Sequence, residues 1–267
     1  NSSSVTTNAF TIDATLPGPP VATLGGAPTI TNAPFDITVQ FSEGVTGLLA
    51  SDFTVTNGTA SNLITVSGGS YTLTITPSIA SGSTGITTVK LPLGTVLDYS
   101  NDPNSADSNT LSVNIDKASP TITLSSTDPN PTTSSITVTA TVSESVTDFD
   151  SSDITVNNAL VSSFGGSGTS YSFTLMPIVD GSFSAQVAAG SFHDAGSNSN
   201  TASNTLSRTY DTIRPTVTLS SATANPTNGA IAVTATFSES VTGFDSSDVT
   251  VTNASVGAVT GSGTTYT

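Results

Sequence analysis

The chain has 267 residues, with 4 Lys+Arg against 19 Asp+Glu for a formal net charge of −15, and neither Cys nor Trp. Positive charge resides only in Lys90, Lys117, Arg208 and Arg214, so no basic patch can form, and binding to nucleic acid or to an anionic membrane surface is excluded as a main task. The lack of Cys removes disulfides, thiolate metal sites and thiol nucleophiles, which leaves each folded unit to its own sheet core or to bound ions.

In chain order, residues 1–16 read as the last strand of a preceding unit, Ser4 to Asp13, running into the linker Ile12-Asp13-Ala14-Thr15-Leu16-Pro17. Further units follow at 19–117 and 118–213, and an incomplete one at 214–267. Their shared signature is Phe41-Ser42-Glu43-Gly44-Val45-Thr46, then Val142-Ser143-Glu144-Ser145-Val146-Thr147, then Phe237-Ser238-Glu239-Ser240-Val241-Thr242, at spacings of 144 − 43 = 101 and 239 − 144 = 95. A residue with a unique catalytic task is seldom copied in every unit, whereas a spacer or modular surface is. The linkers recur as Ile115-Asp116-Lys117-Ala118-Ser119-Pro120 and Tyr210-Asp211-Thr212-Ile213-Arg214-Pro215. Each is short and ends in Pro, which predicts stiff connections. No apolar run approaches a membrane span, and Asn1-Ser2-Ser3-Ser4 lacks the features of a signal peptide. The chain therefore reads as a window on a longer array, with export signal and anchor expected outside it.

Within the middle unit the alternation of apolar residues with Thr and Ser predicts strands at Thr121–Ser125, Ser135–Val142, Asp153–Asn157, Leu160–Phe164, Ser170–Met176, Ser182–Ala188 and Asn204–Asp211. Seven short antiparallel strands is the count of an immunoglobulin-like sandwich. The predicted inward faces are Ile136, Val138, Ala140 and Val142, with Phe35, Ile37, Val39 and Phe41 before them and Ile231, Val233, Ala235 and Phe237 after. Asn57, Asn158 and Asn253 each follow a strand, where Asn tolerates positive φ in a tight turn. Two of them, Asn57-Gly58-Thr59 and Asn253-Ala254-Ser255, also match the glycosylation sequon. The fold class expected is all-β: tandem seven-stranded antiparallel immunoglobulin-like sandwiches in an elongated rod.

The combination of Phe41 to Gly47, Ser51 to Gly58 and Ser108 to Pro120, with counterparts at Val142, Ser152 and Ser203 and at Phe237 and Ser247, resembles the bacterial Ig-like repeats of large secreted surface adhesins. The similarity covers essentially the whole chain. It implies a sandwich fold, export to the cell surface, and a role in projecting a ligand-binding tip or building biofilm matrix; many such repeats bind calcium at their junctions. Two departures stand out, Asp148 in place of Gly and Leu49 where later units have Asp150 and Asp245.

Strand direction indicates where acids meet. The loops after the second and sixth strands lie at the pole where the chain enters, so Glu43, Asp98, Asp102 and the linker Asp13 are expected at one junction. Asp116, Glu144 and Asp194 are expected at the next, and Asp211 with Glu239 at the last. Asp52, Asp153 and Asp248, each nine residues after its Glu, are further candidate ligands. Hard oxygen donors in this number suit a structural Ca²⁺ better than Zn²⁺ or a transition metal; the alternative is that these loops are solvated and keep the array soluble. Catalysis has little support: His193 is the sole His, and its counterpart beside Asp98 is Leu97. The paired carboxylates lack an aromatic sugar platform.

These readings converge on a non-enzymatic spacer segment of a bacterial cell-surface or biofilm protein, extracellular, whose partners are neighbouring repeats of the same protein. The alternative is a subunit of an extracellular filament or sheath that self-assembles by strand addition between neighbours. A third possibility is a binding module for a glycan or ice, using outward Thr. Neither nucleic acid nor membrane insertion is expected.

Overall fold

In the computed structural model residues 18–267 are described; the strand expected within residues 1–16, and Asp13 with it, lie outside them. The first unit holds β1 (Ala22–Gly25), β2 (Ile30–Thr31), β3 (Phe35–Phe41), β4 (Val45–Thr46), β5 (Thr54–Thr56), β6 (Gly58–Ser67), β7 (Ser70–Pro77), β8 (Thr84–Lys90), β9 (Leu97–Asp98) and β10 (Leu111–Asp116). They form two four-stranded sheets, β1-β3-β7-β6 and β2-β10-β8-β5, beside the small pair β4-β9. Along β3, Phe35, Ile37, Val39 and Phe41 are buried while Asp36, Thr38 and Gln40 between them are exposed, the period of two that puts alternate side chains on one face. Leu24, Val39 and Leu73 of one sheet and Val89, Val113 and Ile115 of the other belong to a single apolar core.

In the second unit β11 (Ile122–Ser125), β12 (Ile136–Val146) and β14 (Ala159–Pro177) form one sheet, and β13 (Ile154–Asn157), β15 (Gly181–Val187) and β16 (Leu206–Tyr210) the other. The strands expected at Leu160–Phe164 and Ser170–Met176 both fall within β14, with no unpaired loop between them. The chain doubles back within it at Gly166, where φ is 126° and a Cβ would collide with the backbone of Ser170 and Tyr171. A Gly whose turn needs no break in pairing leaves no loop for sequence periodicity to detect. Among the described residues helix is confined to three 3-10 turns, Ala50–Asp52, Ser151–Asp153 and Ser246–Asp248. Asn57, Asn158 and Asn253 have φ of 55°, 51° and 56°, the left-handed turn conformation expected of them.

The recurrent Ser-Asn of the family motif acts as a clamp. Asn109 accepts from the backbone N–H of Leu24 at 2.7 Å and donates to its carbonyl at 2.9 Å; Asn204 does the same for Leu124 at 2.8 and 3.0 Å. The preceding Ser108 and Ser203 accept from Leu91 and Val187, each at 2.9 Å. The motif thus fastens the start of the last strand to the first strand in the first and second units.

The third unit differs. Residues 214–267 hold one sheet, β17 (Val217–Ser220), β18 (Thr234–Val241) and β19 (Gly261–Tyr266), and no second sheet among the described residues. Two predicted inward residues are corrected here: Ile231 and Val233 are 58% and 41% exposed, whereas their counterparts Ile136 and Val138 are 1% and 0% exposed. They sit with Leu219, Phe244 and Val251 on an open trough. A strand face is buried only when an opposite sheet covers it, and alternation does not report that.

Candidate metal centre at the unit junction

Glu144 lies near the end of β12, half-buried, and the loop that follows β15 returns to it through a bridge between Val146 and Asp194. In the first unit the same connection is the two-residue ladder in which Val45 pairs Asp98 and Thr46 pairs Leu97. The loop is held from inside by Asn200, 3% exposed. Its Oδ1 accepts from Ser191 and Phe192 at 2.8 and 3.0 Å, and its Nδ2 donates to the carbonyls of Ala188 and Thr201 at 2.8 and 2.9 Å. Asn104 repeats this brace in the first unit, accepting from Thr95 and Val96 and donating to Pro92 and Ala106. Sequence reasoning passed over both residues. Their recurrence at 200 − 104 = 96 was the available signal.

The linker supplies the third acid. Asp116 ends β10, and its backbone packs on Gly196 so closely that a Cβ there would approach Asp116 Cβ and O at 3.0 and 3.1 Å. Asp116, Glu144 and Asp194 then each offer a carboxylate oxygen, all within 4.8 Å of one another, as the one such group among the described residues. That limit is about twice a Ca–O bond. Among the described residues no Lys or Arg pairs with any of the three. Burial, followed by the charges of Asp116 and Asp194, pushes the Glu144 carboxyl above its ordinary range, as crowding of like charges requires. The donor set fits a hard divalent cation.

The other candidate ligands are placed as follows. Asp98 is 2% exposed; its Oδ1 accepts from the backbone of Ser100 and Asp102 at 2.7 and 2.8 Å, while its Oδ2 is buried without a hydrogen-bond partner. Glu43 is half-buried and Asp102 exposed, and these two do not join Asp98 in a group of three. In the last unit the Glu239 Oε1 is buried and unpartnered, and Asp211 accepts from the backbone N–H of Ile213 at 3.1 Å. Asp52, Asp153 and Asp248 turn toward their own 3-10 turns, accepting from the backbone of Leu49, Asp150 and Asp245 at 2.8, 2.9 and 3.0 Å. None of them belongs to the cluster. His193 lies half-exposed with Nδ1 3.2 Å from Asp148 Oδ2, a surface pair.

The sequence profile of the bacterial Ig-like domain matches three consecutive stretches, residues 13–115, 116–210 and 211–267. The chain belongs to the bacterial Ig-like domain family. Each matched Ig-like unit opens on the linker aspartate, Asp13, Asp116 or Asp211, so in the middle one all three acids of the cluster come from a single repeat. Bacterial Ig-like domains are a structural domain type, typical of extracellular or surface proteins. Among solved structures, the I9–I11 tandem of titin matches with 10% identity and a TM-score of 0.30, covering 89% of this chain and 82% of that one. Domains 4–9 of the surface layer protein SbsC match with 13% identity and a TM-score of 0.22, covering 76% and 32%. No curated protein matches the sequence. Among the described residues no helix is long and apolar enough to cross a membrane.

Proposed function

We propose that this chain is a spacer segment of a bacterial cell-surface adhesin or biofilm matrix protein, extracellular and non-catalytic, whose Ig-like units are tied at their junctions by Ca²⁺. The observation that carries the reading is the meeting of Asp116, Glu144 and Asp194 within 4.8 Å: one acid from the linker, one from the end of β12 and one from the loop after β15. A cation there draws the linker onto the unit, offsets the mutual repulsion of three carboxylates, and leaves the sandwich core untouched.

Calorimetric titration of the full chain with Ca²⁺, alongside melting curves in calcium and in chelator, tests this. Binding to the folded state alone raises the melting temperature with calcium concentration, and Asp116→Ala removes the part of both signals that belongs to this junction. Indistinguishable melting curves and no binding heat would mean that the acids form only a solvated surface.

A further inference from the structure

The loop that carries Asp194 holds a second polar residue that faces the same junction. Asn198 donates from Nδ2 to Asp194 Oδ2 at 2.8 Å and to the Asp116 carbonyl at 2.9 Å, and its backbone N–H donates to Asp194 Oδ1 at 2.8 Å. Its Oδ1 accepts from Asn32 Nδ2 of the preceding unit at 3.1 Å. One amide therefore touches the entering linker, the buried acid of the following unit and the body of the unit before. The first unit keeps the backbone of this arrangement and changes the side chain. Counting back 198 − 102 = 96, the same step as 194 − 98 = 96, puts Asp102 in the place of Asn198. The Asp102 N–H still donates to Asp98 Oδ1 at 2.8 Å, and left-handed Asn101 (φ 68°) matches left-handed Ser197 (φ 67°). A carboxylate has no proton to give, so among the described residues Asp98 Oδ2 stays buried and unpartnered while Asp194 Oδ2 is satisfied.

We propose that Asn198 is an amide latch that holds the second unit in one orientation on the first whether or not the junction cation is bound, and that an acid at this position removes that donor and leaves the orientation to the ion. The latch supplies a donor where the cation would supply positive charge, and it spans both units. A buried carboxylate oxygen without a donor carries a desolvation cost that a divalent ion offsets. An Asp in place of Asn198 adds a fourth acid to the three and removes the donor. The calcium half of this inference rests on the proposed junction site; the orientation half stands without it.

The chain contains no Cys, so spin labels at T38C and T139C, exposed positions on β3 and β12, report the distance between the two units in the full chain by pulsed electron resonance. Asn198→Asp, Asn198→Ala and Asn32→Ala are compared with the parent in chelator and in calcium, with circular dichroism to confirm that each variant is folded. The parent distribution is expected to be single and narrow in both conditions. Each Asn198 variant should broaden it at least about twofold in chelator, N32A to a smaller extent, and calcium should restore N198D. Titration of N198D should also show calcium affinity raised about tenfold by the added ligand charge. A parent distribution as broad in chelator as that of N198A, or a narrow one for folded N198A, overturns the latch. If the parent shows no calcium heat while the chelator widths behave as stated, the cation reading fails and the latch survives.

Discussion

At the scale of single residues the sequence grouped Asp116, Glu144 and Asp194 at the middle junction, where their carboxylate oxygens lie within 4.8 Å of one another, and gave no account of what surrounds them. Asp116, Glu144 and Asp194 could be brought together on paper because strand direction alone puts the loops after the second and sixth strands at one pole. Asp153 shares with its counterparts a spacing of nine residues from the Glu, but its carboxylate accepts from the Asp150 N–H at 2.9 Å; a backbone donor three positions away is within easy reach of so short a side chain. Glu144 gives a pH prediction. Its folded carboxyl titrates above the ordinary value of 4.5, through burial first and then Asp116 and Asp194. A group raised in this way favours the folded state below its unfolded pKa, and that contribution is lost as pH rises through the folded pKa. In chelator, therefore, the second unit of the parent should lose stability with rising pH relative to Glu144→Gln. In saturating calcium the sign should reverse, because protons then compete with the ion. Melting curves of both proteins across this range decide it; parallel curves in chelator would show that Glu144 does not feel the two aspartates.

At the scale of elements, the strands were legible because burial follows alternation: Ile136, Val138, Ala140 and Val142 face the core as a period of two demands. The braces were not legible, since a buried Asn looks like any loop polar residue until its partners are known. Asn200 makes four hydrogen bonds at 3% exposure. Asn200→Ala strands buried backbone groups of Ser191 and Phe192 and should destabilise the second unit by about 2 kcal/mol or more, from roughly 1–3 kcal/mol per unsatisfied buried group. Chemical denaturation of the full chain, followed through the second unit, measures it. Asn200→Asp, which keeps the acceptor but turns a carboxylate oxygen toward the carbonyls of Ala188 and Thr201, should cost at least as much. Equal stability of N200A and the parent would mean that water replaces the amide.

At the scale of the whole molecule, repeats of nearly the same sequence sit in different states of burial. Ile122 and Leu124 are 3% and 2% exposed, but the corresponding Val217 and Leu219 are 51% and 62% exposed, although 217 − 122 = 95 and 219 − 124 = 95 place them in equivalent positions. The strands of residues 214–267 thus have their cross-strand hydrogen bonds without the second sheet that excludes water from an apolar face. Hydrophobic burial, not the ladder alone, sets the free energy of opening. Amide hydrogens of β17 and β18 should therefore exchange by local opening at least about a hundredfold faster than those of β11 and β12, which corresponds to roughly 2.7 kcal/mol at 1.36 kcal/mol per tenfold. Isolated Thr216–Thr267 should be largely unfolded, while β3, β8 and β12 stay protected in the full chain. Native-state hydrogen exchange read by mass spectrometry separates the outcomes: equal protection of the two sheets would require something to cover the trough formed by Leu219, Ile231 and Val233, and self-association of the chain at that concentration would then be the first thing to measure.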